Sequence, residues 1–172
     1  MTRTYRAVVI GGGVVGCSVL FHLAKAGWKD VLLIERSELT SGSSWHAAGG
    51  FHTLNGDPNV ARLQAYTVSL YEELEKISGQ SCGLHLTGGV MMADSPERMD
   101  FLRMTHARGR ALGMETELIT PTEAKAMFPL LRDGYARHAI LDPGTAAIDV
   151  DLLHQDFLKL FRSRGGTLMC NQ

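Results

Sequence analysis

Ala7-Val8-Val9-Ile10-Gly11-Gly12-Gly13-Val14-Val15-Gly16 is the stretch whose reading decides the fold. The four apolar, β-branched-rich residues have the length of a buried strand. The glycines that follow fit G-x-G-x-x-G at Gly11, Gly13 and Gly16. A helical pattern then carries Val14, Val15, Leu20, Leu23 and Ala24 to a stop at Gly27. A second apolar run, Val31-Leu32-Leu33-Ile34, ends in Glu35. This order of strand, turn, helix, strand and acid is a dinucleotide-binding βαβ unit. Gly11 permits the tight turn, Gly13 lets the backbone approach a pyrophosphate, and Gly16 lets helix and strand pack closely. Val14 and Val15 open a helix whose N-terminus offers free N–H donors and a positive dipole end. Glu35 stands where such units place the acid that binds ribose.

The residues beyond Glu35 narrow the cofactor. Leu39-Thr40-Ser41-Gly42-Ser43-Ser44-Trp45-His46-Ala47-Ala48-Gly49 is rich in small and hydroxylated residues. Such residues allow close approach to a ligand and can start a helix with donors aimed at it. A nicotinamide cofactor does not need this second segment. A flavin dinucleotide, whose ribityl chain and ring run away from the first turn, does. Arg36 beside the acid can suggest NADP, but Glu35 would repel a 2′-phosphate on the same sugar, so an adenosine ribose without one, as in FAD, is expected.

At these residues the chain resembles the FAD-dependent amine oxidoreductases of the D-amino acid oxidase type. Within them it is most similar to dimethylglycine and sarcosine dehydrogenases. The resemblance rests on Gly11, Gly13, Gly16, Glu35 and the run Ser41 to Gly49. Gly88-Gly89-Val90, Phe128-Pro129-Leu130-Leu131 and Asp142-Pro143-Gly144 echo it later. It implies an α/β fold: a Rossmann-like FAD-binding βαβ with a parallel sheet, plus the first part of a mixed α+β substrate domain. Residues 1–49 and 142–172 would form the FAD-binding part, and residues 50–141 the start of the substrate part. The third parallel strand would begin at Thr167, beside the Val31–Ile34 strand. The implied cofactor contacts are Gly11, Gly13, Val14, Val15, Gly16, Glu35, Arg36, Ser41, Gly42, Ser43, Ser44, His46, Ala47, Ala48 and Gly49. His46 would either be joined covalently to the flavin 8α-methyl carbon or sit beside a non-covalent FAD.

Bulk properties bound the partners. The 172 residues are 45% hydrophobic with a formal net charge of −1, a balance that gives no electrostatic footprint for nucleic acid. Cys17, Cys82 and Cys170 are widely spaced and form no C-x-x-C, so reduced, buried thiols are expected. The 7 histidines lack metal-ligand spacing, and no metal site is expected. Arg3 and Arg6 before an apolar stretch, with Ala24-Lys25-Ala26 after it, imitate a secretory signal. Cleavage there would delete the phosphate loop, and the stretch is too short for a membrane span. A cytoplasmic start is the expectation, as in a bacterial protein.

Further along, Val60, Leu63, Thr67, Leu70, Leu74 and Ile77 predict a helix with one buried stripe, assisted by a Glu72–Lys76 pair and ended by Gly79. His85 to Ala93 reads as one strand with a glycine break, or as two short strands. Ser95-Pro96-Glu97 starts a helix, whose apolar residues Met99, Leu102, Met104 and Leu112 run to Gly113. Glu115–Ile119 reads as a strand, and Thr120-Pro121-Thr122-Glu123 as a capping box opening a helix halted by Pro129. Tyr135–Leu141 reads as a strand ending in the Asp142-Pro143-Gly144 turn. Asp149 caps a helix bearing Leu152, Leu153, Phe157, Leu160 and Phe161, stopped by Gly165-Gly166.

The family chemistry moves a hydride equivalent from the carbon beside a secondary or tertiary amine to the flavin, with the protein binding and tuning it. The implied partner is a small-molecule amine such as sarcosine or dimethylglycine. The electron acceptor and the catalytic residues are not specified by the sequence. Arg62, Tyr66, Arg137 and His138 are candidates for a substrate carboxylate. Three other readings stay open: a non-catalytic flavoprotein-like regulatory subunit, a nicotinamide-dependent dehydrogenase, and an FAD-dependent oxidoreductase acting on D-amino acids or glycine. The chain is expected to be the front portion of such an enzyme, inactive alone and prone to self-association at the open edge of its first strand.

Overall fold

A computed structural model describes residues 4–134 and 136–170. Arg3, and Tyr135 at the start of one expected strand, lie outside the described residues. The chain divides into two compact units.

The first unit comprises Met1–Gly49, Tyr71–Leu84 and Ile148–Gln172. Its sheet is parallel, in the order β1 (Ala7–Ile10), β2 (Val31–Glu35), β8 (Thr167–Cys170). The register pairs Ala7 with Val31 and Leu33 with Leu168, so the late strand takes the expected place beside β2. Helix α1 (Val14–Lys25) connects β1 to β2 and buries Cys17, Leu20, Phe21 and Ala24. It stops where Gly27 adopts φ 85°, a left-handed turn that glycine enters without strain. Helix α5 (Val150–Ser163) leads into β8 and packs on α1, with the Phe21 and Phe157 rings 5.5 Å apart. Asp149 caps α5 as its sequence implies, accepting the Asp151 and Leu152 N–H groups at 3.0 Å. The buried-strand reading of β1 needs correction. Ala7 and Val9 are half-buried, facing α1, but Val8 and Ile10 on the other face are exposed among the described residues.

The second unit comprises Gly50–Leu70 and His85–Ala147. An antiparallel sheet runs in the order β4 (Gly89–Ala93), β6 (His138–Asp142), β5 (Glu117–Ile119). Helix α3 (Pro96–Ala111) begins at the Ser95 cap and packs Met99 and Leu102 against Ala93, Ile140 and Leu54. Helix α4 (Pro121–Met127) opens on the expected capping box, in which Thr120 and Glu123 satisfy each other's N–H groups. His85 makes an isolated bridge to Ala147 ahead of β4, so the glycine break separates two short extended pieces. Two-residue strands β3 (Gly50–Phe51) and β7 (Ala146–Ala147) pair antiparallel; neither is long enough to leave a periodic signal.

Helix α2 (Pro58–Ser78) is shared, its residues up to Leu70 belonging to the second unit and those from Tyr71 to the first. Its single buried stripe is not realised. Leu70 and Leu74 are buried, but Val60, Leu63 and Ile77 are exposed, and Ala61 takes the buried position in the first turns. A small residue that packs closely against neighbours carries little weight in a pattern built on large ones. The ion pair that this helix makes among the described residues is Glu73 with Lys25 of α1, at 2.7 Å, rather than Glu72 with Lys76.

Candidate functional site: the first glycine turn and the 35–49 segment

The turn after β1 is built around Gly12, a residue to which the motif assigns no task. Its N–H donates to Glu35 Oε2 at 2.6 Å, and its carbonyl accepts the Thr40 N–H at 3.2 Å. The buried Cys17 thiol approaches the same carbonyl at 3.6 Å. A Cβ on Gly12 would run into the Leu39 side chain and stand 3.2 Å from Glu35 Cβ. Gly12, Ser37, Leu39 and Thr40 are therefore structural members of the site that motif reading missed. The available signal was a third glycine in a turn whose motif uses only two.

The motif glycines are placed as their spacing implies. Gly11 has φ 105° and donates to Ile34 O at 2.9 Å. A Cβ on Gly16 would collide with the Gly11 carbonyl, which is the close helix–strand approach expected there. A Cβ on Gly13 would stand 3.0 Å from Ser44 Oγ. An α-helix leaves its first N–H groups without intrahelical acceptors. Ser44 Oγ accepts the one from Val14 at 3.0 Å, reaching across thirty residues of sequence to do so. Val15 is exposed at this end of α1.

Glu35 faces the turn. Its Oε1 accepts the Ser37 N–H at 2.9 Å while Oε2 holds Gly12. The two backbone donors favour the charged form and hold the carboxyl below its usual range of 4.5, with smaller help from the Arg36 N–H and guanidinium. A carboxylate has about four lone-pair sites, so Glu35 keeps room for a further donor such as a ribose hydroxyl.

The segment from Leu39 to His46 folds as successive turns and not as the helix start its composition allowed. Thr40 is the reason at its head: φ is 68°, a left-handed conformation that ends regular progression and is strained for a β-branched residue. Ser41 is then spent locally, with its hydroxyl donating to Glu38 O at 2.7 Å. Ala47 donates to Ser44 O at 3.1 Å, Ala48 is exposed, and Gly49, at φ 72°, accepts the Ile148 N–H at 2.9 Å. His46 is exposed, its ring 4.3 Å from that of Trp45, and its Nδ1 lies 3.0 Å from Gly42 O. A carbonyl only accepts, so Nδ1 carries the proton and Nε2 keeps a free lone pair.

These elements enclose a groove of about 490 Å³ lined by Gly13, Glu35, Arg36, Thr40, Ser43 and Ser44, among others. Its parts suit FAD. A glycine floor that a Cβ would fill and a helix N-terminus suit a pyrophosphate, and a carboxylate with spare acceptor sites suits a ribose.

The four substrate candidates do not converge. Arg62 lines a cleft of about 390 Å³ with Asp142, whereas Arg137 and His138 line another of about 220 Å³ with Arg103. Tyr66 is exposed on α2. Among the described residues no group of three or more His, Cys, Asp and Glu could hold a metal ion, and no helix is long and apolar enough to cross a membrane.

The family model described as "DAO: FAD dependent oxidoreductase" matches residues 6–172. Mitochondrial dimethylglycine dehydrogenase of Homo sapiens is 42% identical over 142 residues, which cover 83% of this chain and 16% of that protein. Mitochondrial sarcosine dehydrogenase of Homo sapiens is 38% identical over 132 residues, covering 76% of this chain and 14% of that protein. The crystal structure of L-proline dehydrogenase from P. horikoshii matches with a TM-score of 0.91 and 27% identity, over 99% of this chain and 45% of that one. The chain thus spans a small part of the curated relatives' length and under half of the matched structure. A family match this extensive, joined to a glycine turn and acid in the expected geometry, decides the family: this chain belongs to the FAD-dependent oxidoreductases of the D-amino acid oxidase type.

Proposed function

We propose that this chain is the cofactor-binding front of an enzyme that oxidises the C–N bond of a secondary or tertiary amino acid such as sarcosine or dimethylglycine. In this reading residues 1–49 and 142–172 serve the FAD and residues 50–141 begin the substrate part. The observation that carries the reading is the Ser44–Val14 hydrogen bond, which ties the His46-bearing turns to the N-terminus of α1. The similarity to dimethylglycine and sarcosine dehydrogenases supports the substrate class.

FAD supplies, when bound, an acceptor for the hydride. The chain's own residues bind and orient it. The N-terminal N–H groups of α1 would hold the pyrophosphate, with Gly13 keeping the approach clear. Glu35 accepts the ribose hydroxyls on the lone pairs that Gly12 and Ser37 leave free. His46 would be the residue joined to the flavin 8α-methyl carbon. Donation from its Nδ1 to Gly42 O supports this, because it leaves Nε2 with the lone pair that bond formation needs.

The deciding experiment is an anaerobic visible spectrum of the intact protein. Bleaching of the flavin band by sarcosine or dimethylglycine is the expected result. A bound flavin that neither substrate bleaches would overturn the substrate reading and leave a non-catalytic flavoprotein or an oxidoreductase acting on D-amino acids or glycine. The 172-residue chain produced alone is expected to self-associate through the exposed Val8 and Ile10 of β1. A monomeric mass by light scattering would contradict that.

A further inference from the structure

A cleft of about 390 Å³ lies wholly within the second unit, between the first half of α2, the turn after α3 and the turn after β6. Its volume is that of a small-molecule site. Ala61 and Ala65, one turn apart on α2, line it with little more than a methyl group each. Leu86 and Met114 add apolar wall, and Leu86 is 55% exposed, an apolar surface left open to solvent.

Three charged residues line the same cleft: Arg62, Glu115 and Asp142. Asp142 is not available to a ligand. It is buried, and its Oδ1 accepts the Thr53 hydroxyl at 3.2 Å and the Gly144 N–H at 3.1 Å. Its Oδ2 accepts the Leu54 N–H at 3.3 Å and the Thr145 hydroxyl at 3.1 Å. A carboxylate has about four acceptor sites, so this one is spent on bracing the cleft. Arg62 and Glu115 are different. Both are exposed, and among the described residues neither side chain makes a hydrogen bond or an ion pair, with the other or with a third group. A cation and an anion that share a cleft without meeting leave space for a ligand that carries both charges.

We propose that this cleft binds a zwitterionic amino acid with an apolar side chain. The Arg62 guanidinium, whose fork matches a carboxylate, takes that group of the ligand. The Glu115 carboxylate accepts from the ligand ammonium, and Leu86 and Met114 cover its side chain. The site needs no flavin and goes beyond the FAD-dependent reading.

The test is anaerobic calorimetric titration of the intact, flavin-loaded protein with L-leucine. Isocaproate lacks the ammonium of leucine and isoamylamine lacks its carboxylate; each should bind about tenfold or more weakly than leucine, the scale of one charge-assisted hydrogen bond. The variants should then sort the probes. Arg62→Gln should weaken leucine and isocaproate by about tenfold or more and leave isoamylamine unchanged. Glu115→Gln should weaken leucine and isoamylamine and leave isocaproate unchanged. Leu86→Ser should weaken all three probes alike. The three substituted side chains are exposed, so the variants are expected to fold, and wild-type thermal midpoints check that. No binding to wild type up to about 10 mM leucine, or wild-type leucine affinity in both charge variants, would overturn the proposal. So would charge variants that weaken all three probes equally, because a general disturbance of the cleft does not discriminate between charges. The titration reads binding and not flavin reduction. A flavin that sarcosine and dimethylglycine fail to bleach would therefore reject the substrate reading above and leave this result standing.

Discussion

Gly12 donates its N–H to Glu35 Oε2 at 2.6 Å, joining the turn after β1 to the end of β2. The acid that the motif reserves for the ribose is therefore also a clamp on the glycine turn that the motif assigns to the pyrophosphate. In the proposed FAD-binding reading, one carboxylate would shape both ends of the adenosine diphosphate site before any ligand arrives, which would lower the ordering cost of binding.

Replacing Glu35 by Gln should hurt more than the loss of one ribose contact. The amide nitrogen would face either the Gly12 or the Ser37 N–H, donor against donor. FAD binding is expected to weaken by roughly tenfold or more, the scale of one charge-assisted hydrogen bond. The pH dependence has a definite sign. The folded carboxyl is held below 4.5, so its stabilising contribution is complete above that value and is lost as pH falls through the lowered one. Denaturant titrations of wild type and Glu35→Gln should converge at acid pH and separate above 4.5; parallel curves would contradict the clamp.

His46 gives a second, independent prediction. Acid-precipitated intact protein should keep its yellow fluorescence, and His46→Ala should release the flavin on precipitation. Release of free FAD from wild type would reject covalent attachment while leaving the family membership intact. The unusual Thr40 backbone and the turn after it govern where His46 stands. Thr40→Gly, which relieves the strain at φ 68°, is expected to raise apo stability by about 1 kcal/mol, read as a shift in thermal midpoint.

Much of this site was legible because its parts are local. The βαβ unit, the caps at Ser95, Thr120 and Asp149, and the stop at Gly27 each follow from a few neighbouring residues and one steric or hydrogen-bonding rule. The clamp on Gly12 was not, since Glu35, Leu39 and Thr40 meet it only after the chain folds. The composition of Leu39 to His46 allowed a helix start, and the turns found there were not legible for the same reason. Small hydroxylated residues permit several local structures, and here Thr40 N–H is taken by Gly12 O and Ser44 Oγ by Val14 N–H. The α2 stripe failed because alternating apolar spacing says which residues share a face, not which face another element covers.

Asp156 on α5 supports a prediction about stability. It is fully buried, and among the described residues neither of its oxygens has a hydrogen-bond partner. The nearby Ser78 hydroxyl donates to Gln80 O instead, at 3.1 Å. Burial raises its carboxyl above 3.8, with Ser78 and Lys159 opposing and Glu75 adding to the rise. A raised acid is most comfortable protonated, so its effect on stability is least harmful below 3.8 and grows more unfavourable as pH rises through the folded value. Asp156→Asn should therefore raise the unfolding free energy at pH 8 more than at pH 4. A uniform change across that range would show that ionisation of Asp156 is not what costs stability.

Gly12 and Gly16 both lack room for a side chain, but for different reasons, and the difference can be tested. A Cβ on Gly16 would meet the Gly11 carbonyl, which is backbone and cannot move without opening the turn. A Cβ on Gly12 would meet chiefly the tip of Leu39, a flexible side chain, and then Glu35 Cβ at 3.2 Å. Each single alanine variant should lose most of its FAD, read as the ratio of flavin to protein absorbance. Adding Leu39→Ala should restore part of the flavin in Gly12→Ala and none in Gly16→Ala, because contacting residues couple and this coupling exists at only one of the two sites. Equal rescue of both variants would mean that Leu39 acts on the whole turn rather than on Gly12. No rescue of Gly12→Ala would assign its loss to the Glu35 side and leave the carboxylate clamp as the dominant constraint.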